Sequence, residues 1–498
     1  MGLLSFFASK TGGLAPPPPP RRKRSYAAAA MSRLFSDFVT SHLNADSEIR
    51  PALRVLRNRC RDLARNNDYA RRYVNILKTN VVGPHGIKIQ VRGRDDNGNL
   101  DLQGNRLIEQ AWDQWTQAGV CTIDQRLSWV DAQALFVESL ACDGEPLIQL
   151  IRNAPNAFGF ALYFLESDHL DEEYNQKLQN GHLIKMGVEL DPFRRPVAYH
   201  LYKEHPGENV LARGAGSQRM RVPAEGLLHC YFQQRPEQTR GVPLMVTALG
   251  RLKMLDGYEE AELVAARVAA AKMGFFVSPD GEEYTGDDTE DDYTPITEAA
   301  PGSFEQLPAG MDFKAFDPDH PTTAFPDFEK AILRGIASGL NISYVSLSNN
   351  LEGVSYSSIR QGVMEDRDHF QMLQQFMINH FVRPVFRAWL LMAMTTGAVP
   401  LPIAKYAKFA DSALFVPRGF GWVDPQREIQ SQVLGLENGI MTLQDIAAHQ
   451  GRDVEEVFEQ IERERELAKQ YGIQLAFEPF GSKTPPPSPN PEDEHENG

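Results

Sequence analysis

The chain has 498 residues, a formal net charge of −15 at pH 7, 42% hydrophobic residues and 23% charged residues. At this length an ordinary globular composition suits several domains or one elongated subunit of an assembly. The acidic balance argues against a sequence-specific DNA-binding protein, which usually carries a basic face. No apolar run reaches the roughly 20 residues that a membrane-spanning helix needs, so we expect no membrane association. The four cysteines are scattered without a C-x-x-C pair, which predicts reduced thiols rather than disulfides or a zinc site.

Both ends of the chain are predicted to be disordered. Residues 1–30 carry a proline run at 16–20, which favours a stiff extended segment, and a basic cluster at 21–24. That basic cluster could contact DNA or partner proteins, but we expect a solvated run of charge. Residues 476–498 form the other end, and from Lys483 they are rich in proline and acidic side chains and have no apolar surface to bury.

The segment 50–82 is predicted to be helical, with arginines along one face. Two of these arginines, Arg65 and Arg72, could contact acidic residues of a neighbouring subunit or belong to an exposed helical face. Glycine and proline within 83–86 then break the helix and lead into a strand.

Residues 31–242 as a whole are predicted to form a mixed helical and stranded domain with its own core. Amphipathic helices are expected over 105–119 and 128–143, and Ser128 with Asp131 forms a capping box at the start of the second. Strand-like runs separated by turn residues follow over 144–152, 161–166, 183–190, 197–202 and 227–232.

Two helices with an excursion between them are predicted next. A helix over 243–273, with proline in its first turn, would span roughly 46 Å. Its alanine-rich second half would let helices approach closely where many copies crowd round an axis, although high helix propensity alone also explains the alanines. Residues 274–325 contain strand-like runs at 275–277 and 304–307 and an acidic turn, and the chain returns as a helix over 326–345.

Residues 346–354 are predicted to form a polar, glycine-containing loop, and a long helix is expected to begin near Tyr356. The hydroxyl groups of Ser355, Ser357 and Ser358 can cap the exposed N–H groups at the start of that helix. The loop and the helix together form the most distinctive stretch of the sequence.

Three helices with cap signals are predicted within 421–475. The first begins at Asp424, the second has a T-x-x-D capping box at 442–445, and the third begins at Asp453 and closes at Gly472. The complete pattern predicts an α+β fold that is mainly helical.

Three stretches of the chain resemble the portal proteins of lambda-like tailed phages. They are RNNDYARRYVNILKTNVVGPHGIKIQV from Arg65, ISYVSLSNNLEGVSYSSIR from Ile342 and DPQREIQSQVLGLENGIMTLQDIAAHQGRD from Asp424. The resemblance extends from near Arg50 to Leu475 and implies the phage portal fold, a ring around a central channel. The parts that it implies are a wing (31–242), a stem helix (243–273), a clip (274–325), a returning stem helix (326–345), a tunnel loop (346–354), a wing spine helix with following strands (355–420) and a helical crown (421–475).

The resemblance also implies a function. Twelve copies would form a ring at one capsid vertex, provide the channel for DNA packaging and ejection, and nucleate procapsid assembly. The expected partners are the terminase large subunit, the head–tail connector, the major capsid and scaffold proteins, and double-stranded DNA that passes non-specifically. The protein would belong to the virion, and to the host cytoplasm during assembly, without a cofactor or a catalytic or metal site. Its acidic balance fits DNA passage, because every neutralised phosphate would add affinity and act as a brake.

Five residues of the tunnel loop are predicted to face the channel. The serines and asparagines among them offer polar contacts without fixed charge, so DNA would be touched but not held, and the glycine permits the turn into the next helix. An ordinary surface loop is the alternative. The five residues are Ser346, Ser348, Asn349, Asn350 and Gly353.

Charged residues are predicted to act in the stem and the clip. Arg267 and Lys272 could form a basic ring facing the channel, or both could pair with acids on the adjacent helix. Acidic residues of the clip are expected to attract a basic partner, with more effect on encounter rate and specificity than on affinity. Those acidic residues are Asp287, Asp288, Asp291 and Asp292.

The alternative from another functional class is a hydrolase with an unrecognised site in the α+β domain. The sequence has no phosphate-binding G-x-x-x-x-G-K-[ST] loop, no H-E-x-x-H and no G-x-S-x-G, since the stretch from Gly353 to Ser357 ends in serine where that turn needs glycine. A ring of very large mass would favour the portal interpretation, and a monomer or dimer would favour the enzyme.

Overall fold

The computed structural model describes residues 42–95, 97–208, 218–270, 274–277, 312–315, 325–353, 355–420, 425–449 and 454–473. Almost all of them belong to one compact unit that starts at Ala45. The fold combines helices and strands, with helices predominating, as the sequence predicts. Across the described residues, no helix has both the length and the apolar character needed to cross a membrane.

The helices are separated by short turns in most places and match most of the predicted positions. Their bounds are α1 Ala45–Ile49, α2 Leu53–Asn66, α3 Asp68–Leu77, α4 Leu102–Trp115, α5 Trp129–Cys142, α6 Leu249–Ala270, α7 Phe325–Leu340, α8 Tyr344–Ser348, α9 Tyr356–Met377, α10 Arg383–Thr396, α11 Tyr406–Asp411, α12 Pro425–Glu437, α13 Leu443–His449 and α14 Val454–Gln470.

The strands of the described residues form four antiparallel sheets, ordered β1-β12, β10-β11, β3-β2-β9 and β4-β5-β6-β7-β8. The five predicted runs are all present, although the run at 183–190 divides into two strands. The strands are β1 Lys88–Val91, β2 Leu147–Arg152, β3 Phe160–Leu165, β4 Gln176–Lys177, β5 Leu183–Lys185, β6 Val188–Leu190, β7 Pro196–Tyr202, β8 Arg219–Pro223, β9 Leu227–His229, β10 Gly274–Val277, β11 Asp312–Ala315 and β12 Ala413–Val416.

Side-chain caps set several helix starts where the sequence predicts them. Ser128 and Asp131 form the capping box of α5, and the Ser355 hydroxyl accepts from the Ser358 amide at the start of α9. The predicted helix over 50–82 is divided into α2 and α3 because the Asn67 side chain accepts from the Ala70 amide and starts a new helix.

The predicted helix over 243–273 begins later than expected. Residues 244–248 form turns in which the Val246 amide donates to Pro243 O and the Ala248 amide to Met245 O, so the i→i−4 ladder of α6 starts only at Leu252. The Leu244 amide is drawn instead to Ala141 O in α5, at 3.2 Å. Pro243 therefore lies more than one full turn before α6 and does not start this helix.

The small sheet between α6 and α7 also differs from prediction. The predicted strand at 275–277 is confirmed within β10, and β10 pairs with β11, which the sequence analysis missed. The strand-like run at 304–307 lies outside the described residues.

One aromatic cluster holds distant parts of the chain together. Trp112 and Trp115 from α4, Trp129 from α5 and Trp389 from α10 are at most 3% exposed, and the ring centroids of Trp112 and Trp389 are 4.9 Å apart. The indole of Trp115 donates to Phe160 O in β3 at 3.0 Å. The core therefore fixes the long helical segment of α9 and α10 against the N-terminal helices.

Two π-helical turns of the described residues contribute to this core. One follows α3 at Lys78–Val82, and the other joins α9 to α10 at Ile378–Val382. The buried Gln374 amide donates to Asn80 O and to Arg418 O, both at 3.1 Å. Carbonyls released by the wider turn are satisfied in this way, so α9, the first π turn and the segment after β12 are held together.

A buried charge network lies where the N-terminal helices meet the sheets. Glu145 is fully buried and pairs with Arg57 of α2 and with Arg240, whose guanidinium donates at 2.6 Å. His229 Nε2 lies 2.9 Å from the same carboxylate, and the Gly241 amide donates to it at 2.8 Å. Burial alone would raise the pKa of Glu145, but the charges of Arg240 and Arg57 outweigh it and hold that pKa far below its usual range.

Neutralising this carboxylate is expected to destabilise the fold. Glu145→Gln leaves two buried guanidinium groups without their counter-charge, and breaking a buried pair in this way costs about 3–5 kcal/mol. The substitution should lower the midpoint of urea unfolding at pH 7 strongly. Glu437→Gln, on an exposed position of α12, is the matched control and should leave the midpoint unchanged. Equal midpoints for the two variants would contradict the structural role of Glu145.

Candidate functional site

The segment between α7 and α9 is only partly a loop. The structure places Ser346 and Ser348 in the short helix α8, so the predicted loop over 346–354 is wrong for its first three residues. Ser343 caps α8 by accepting from the Ser346 amide at 3.2 Å, and Asn349 ends it with a φ of 57°. The cap from Ser343 stabilises a short helix here, although the polar composition suggests a loop.

Asp366 of α9 fastens the start of α8. Its carboxylate accepts from the Ser343 amide at 2.6 Å, from the Ser343 hydroxyl at 2.8 Å and from the Ser346 hydroxyl at 2.6 Å. Asp366 is 5% exposed and Leu347 of α8 is fully buried. The Ser346 hydroxyl thus has a partner within its own chain, and Ser346 is half-buried.

Arg72 of α3 fastens the other end of α8. Its Nε donates to Ser346 O at 2.8 Å, and Nη2 donates to Asn349 Oδ1 at 3.4 Å. Arginine near a helix C-terminus commonly satisfies the last carbonyls in this way. Arg72 therefore has partners in its own chain, whereas Arg65 lies on the exposed face of α2.

Most of the exposed residues of the segment lie within 349–353. Asn349 and Gly353 are exposed, and Asn350 is half-buried, with its amide donating to the Ser348 hydroxyl at 3.2 Å. Gly353 has a φ of +69°, a conformation that side chains disfavour. Leu351 is 61% exposed, so the segment presents an apolar side chain that its polar composition does not indicate.

The predicted charged residues of the stem and clip are described only in part. Arg267 is exposed on α6, and it forms no ion pair with another described residue. Lys272 lies outside the described residues. The four acidic residues of the predicted clip lie outside them as well: Asp287, Asp288, Asp291 and Asp292.

One group of possible metal ligands occurs among the described residues. Single ligand atoms of Glu166, Asp168 and His205 lie within 4.8 Å of one another. Arg61 already contacts Asp168 at 2.6 Å, and His205 Nε2 lies 3.1 Å from Glu166. The geometry is that of a mixed-charge cluster, in which a guanidinium occupies the place that a cation would need.

The buried cysteines do not offer a nucleophile at neutral pH. Burial raises the pKa values of Cys60, Cys121 and Cys142 to about 12, so these thiols stay protonated. Cys230 is buried as well, and its thiol donates to His380 O at 3.1 Å.

Comparison with known proteins identifies relatives along most of the chain. The model of the family "Phage portal protein, lambda family" matches residues 31–374. A probable portal protein of Halomonas phage phiHAP-1 is 36% identical over 86% of this chain and 83% of its own length. The portal protein of Escherichia phage N15 is 23% identical over 84% of this chain and 86% of its own length, and portal protein B of Escherichia phage lambda is 22% identical over 82% of each.

Among solved structures, a chain from the neck of an empty GTA particle is 12% identical with a TM-score of 0.43, covering 79% of this chain and 93% of its own. That likeness is too remote to carry a functional inference. The family match covers more than half of the chain, and the phiHAP-1 relative is aligned over most of both sequences. The chain therefore belongs to the lambda family of phage portal proteins.

Proposed function

We propose that copies of this portal protein close into a ring, of twelve subunits by family resemblance, whose central channel passes double-stranded DNA into and out of the capsid. The observation that carries the proposal is the family match over residues 31–374, which includes the segment between α7 and α9. A structural role, without catalysis or a cofactor, follows from the same membership. The ring would occupy one vertex of the virion after assembling in the host cytoplasm, where it would nucleate the procapsid.

Exposed apolar side chains on α6 support assembly. Leu263 is 56% exposed and Val264 is 51% exposed, whereas the buried leucines of α6, Leu249, Leu252 and Leu255, lie in its first two turns. Neighbouring copies would cover these side chains, since in cyclic symmetry each subunit presents the same pair of surfaces. The helices α6 and α7 would then form the stem, with β10 and β11 in the clip.

The segment 349–353 is the proposed channel contact. It is the exposed part between two fastened elements, because Asp366 and Arg72 hold α8 and the cap of Ser355 starts α9. Asn349, Asn350 and the turn at Gly353 would touch DNA without a fixed positive charge. Ser346 and Ser348, which belong to α8, would position this contact rather than make it. Arg267 and Lys272 remain a proposed basic ring.

The clip is the proposed docking surface for the packaging enzyme and later for the head–tail connector. Its acidic turn would attract a basic partner, and this effect would weaken in high salt. The scaffold and major capsid proteins would contact the outer parts of the ring. The residues proposed for the acidic turn are Asp287, Asp288, Asp291 and Asp292.

The full-length protein is expected to form a particle of ring mass in mass photometry. Replacing Leu263 and Val264 together by glutamate should shift the population towards smaller species, because charges would then lie in the subunit contact. Circular dichroism should remain that of the folded protein. Phe193→Glu, at an exposed hairpin tip that is 81% exposed, is the control and should still give rings. Monomers of the unaltered protein at all concentrations would refute ring assembly.

Deleting residues 349–352 is expected to leave rings intact but to lower DNA packaging or retention. The deletion removes the exposed contact and spares α8 and the start of α9. A glycine–serine replacement of the same length separates the chemistry of these residues from the length of the segment, and it should also retain less DNA. Normally filled particles from both variants would exclude the segment from DNA contact.

Asp366→Ala is expected to release α8. Hydrogen bonds to a charged acceptor contribute about 1.5–3 kcal/mol each, so amide hydrogen exchange over 344–349 should rise by about tenfold or more. Asp368→Ala, two residues further along α9 and exposed, is the matched control. Unchanged exchange in Asp366→Ala would show that packing of Leu347 alone holds α8.

A further inference from the structure

The hydroxyl of Tyr69 lies between carboxylates from two helices. Its distance is 3.3 Å to Oε1 of Glu259 in α6 and 3.2 Å to Oε1 of Glu329 in α7. Tyr69 belongs to α3, so these contacts join three helices at one phenol. No function discussed above uses this group.

The three residues lie where α6 and α7 extend beyond the buried apolar core, which is here called the body of the protein. These helices run antiparallel, because Thr247 contacts Gly339 at one end of the pair and Tyr258 stacks on Phe325 at the other. The buried leucines of α6 end at Leu255, and those of α7 begin at Leu333, on the body side of both glutamates. Tyr69 therefore makes a polar contact with α6 and α7 at the edge of the region in which the leucines of these helices are buried.

A count of protons shows what the contact requires. A phenol has one proton to donate, and an ionised carboxylate can only accept. Two ionised glutamates facing the same phenol would leave one carboxylate oxygen against the lone pairs of Tyr69 and would also repel each other. A proton on one of the two carboxyl groups supplies the missing donor. We propose that Glu259 and Glu329 hold one proton between them, and that this proton together with that of Tyr69 ties the outgoing and returning helices to α3.

The surrounding charges favour the shared proton. Asp68 of α3 and Asp256 of α6 add negative charge near Glu259. From α2, Asp62 faces Lys253, which pairs with Asp256 at 3.1 Å and not with the glutamates. Within the described part of the chain no lysine, arginine or histidine forms an ion pair with Glu259 or Glu329, and this includes Lys330, the neighbour of Glu329 in sequence.

The expected ionisation agrees with this geometry. Burial, then the charge of Glu329, raises the pKa of Glu259 above its ordinary value. Burial and the two carboxylates also raise the pKa of Tyr69, so the phenol keeps its proton. A raised carboxyl pKa means that the contact is fully formed below the ordinary value of 4.5 and is lost as pH rises through the raised value.

The stability of this contact changes with pH in the opposite direction to that of the Glu145 network. Glu145 stabilises the fold above its ordinary pKa and loses that contribution in acid, since its pKa in the folded state is depressed. Acid therefore tightens the attachment of α6 and α7 while it weakens the body. If the pair is the stem, as proposed above, its attachment to the ring responds to pH separately from ring stability.

Infrared difference spectra of the full-length protein between acidic and alkaline pH test the shared proton directly. The carbonyl stretch of a protonated carboxyl group should persist at pH values at which ordinary glutamates are already ionised. This band should disappear in both Glu259→Gln and Glu329→Gln. Glu260→Gln, an exposed neighbour in α6 with the same change of charge, should retain it. Two results would overturn the proposal: a band that only the control variant Glu260→Gln loses, or no such band in the unaltered protein.

Hydrogen exchange over α7, corrected for the intrinsic rate at each pH, tests the attachment. Protection in the unaltered protein should fall as pH rises, by up to about tenfold per pH unit while the pair ionises. Glu329→Gln carries a permanent donor and should keep high protection at every pH, whereas Tyr69→Phe should be low throughout. Protection that does not change with pH in the unaltered protein, or that is restored at high pH by Mg²⁺ alone, would refute the shared proton. These readouts do not depend on DNA passage, so the proposed channel role can fail independently.

Discussion

A single buried carboxylate, that of Glu145, fixes how the main parts of the described structure meet. Its partners come from α2, from the end of β9 and from the segment between β9 and α6, so one charge joins an N-terminal helix, a sheet and the segment that leads into α6. Burying such a charge is unfavourable unless every lone pair is used. Here Arg57, Arg240, His229 and the Gly241 amide all contact it, which makes the relative placement of these segments specific.

The aromatic core extends that placement to the long helical segment of α9 and α10. Trp389 of α10 packs on Trp112, and Gln374 of α9 reaches the π turn after α3. Because α9 is held over its second half, its first half carries Asp366 to a fixed position beneath α8. Helix α3 supplies Arg72 from the other side. The exposed residues 349–353 are thus positioned by a rigid frame, as binding segments commonly are.

Local signals in the sequence predicted much of this frame. Ser128 and Ser355 are caps whose partners lie within three residues, so the starts of α5 and α9 could be placed from spacing alone. The helix α8 escaped prediction because its stability depends on Asp366, 20 residues beyond Ser346, and on the burial of its own Leu347 in a core built from distant parts of the chain.

Long-range contacts explain the remaining differences between the structure predicted from the sequence and the structure observed. The pairing of β1 with β12 joins residues more than three hundred positions apart, and the Glu145 network joins α2 to segments 88 and more residues away. The delayed start of α6 follows from a bond between Leu244 and α5. Fold class and family could be inferred from the sequence, whereas the partners of Arg72 and the division of 346–354 into helix and loop required coordinates.

An electron cryomicroscopy map of the purified assembled protein would decide whether residues 349–353 line a channel, because it shows both the symmetry and the position of these residues. We expect a closed ring in which residues 349–353, including the exposed Leu351, approach the axis more closely than α8 and the rest of the subunit do. A ring in which the same residues point away from the axis, or a particle without a channel, would contradict it.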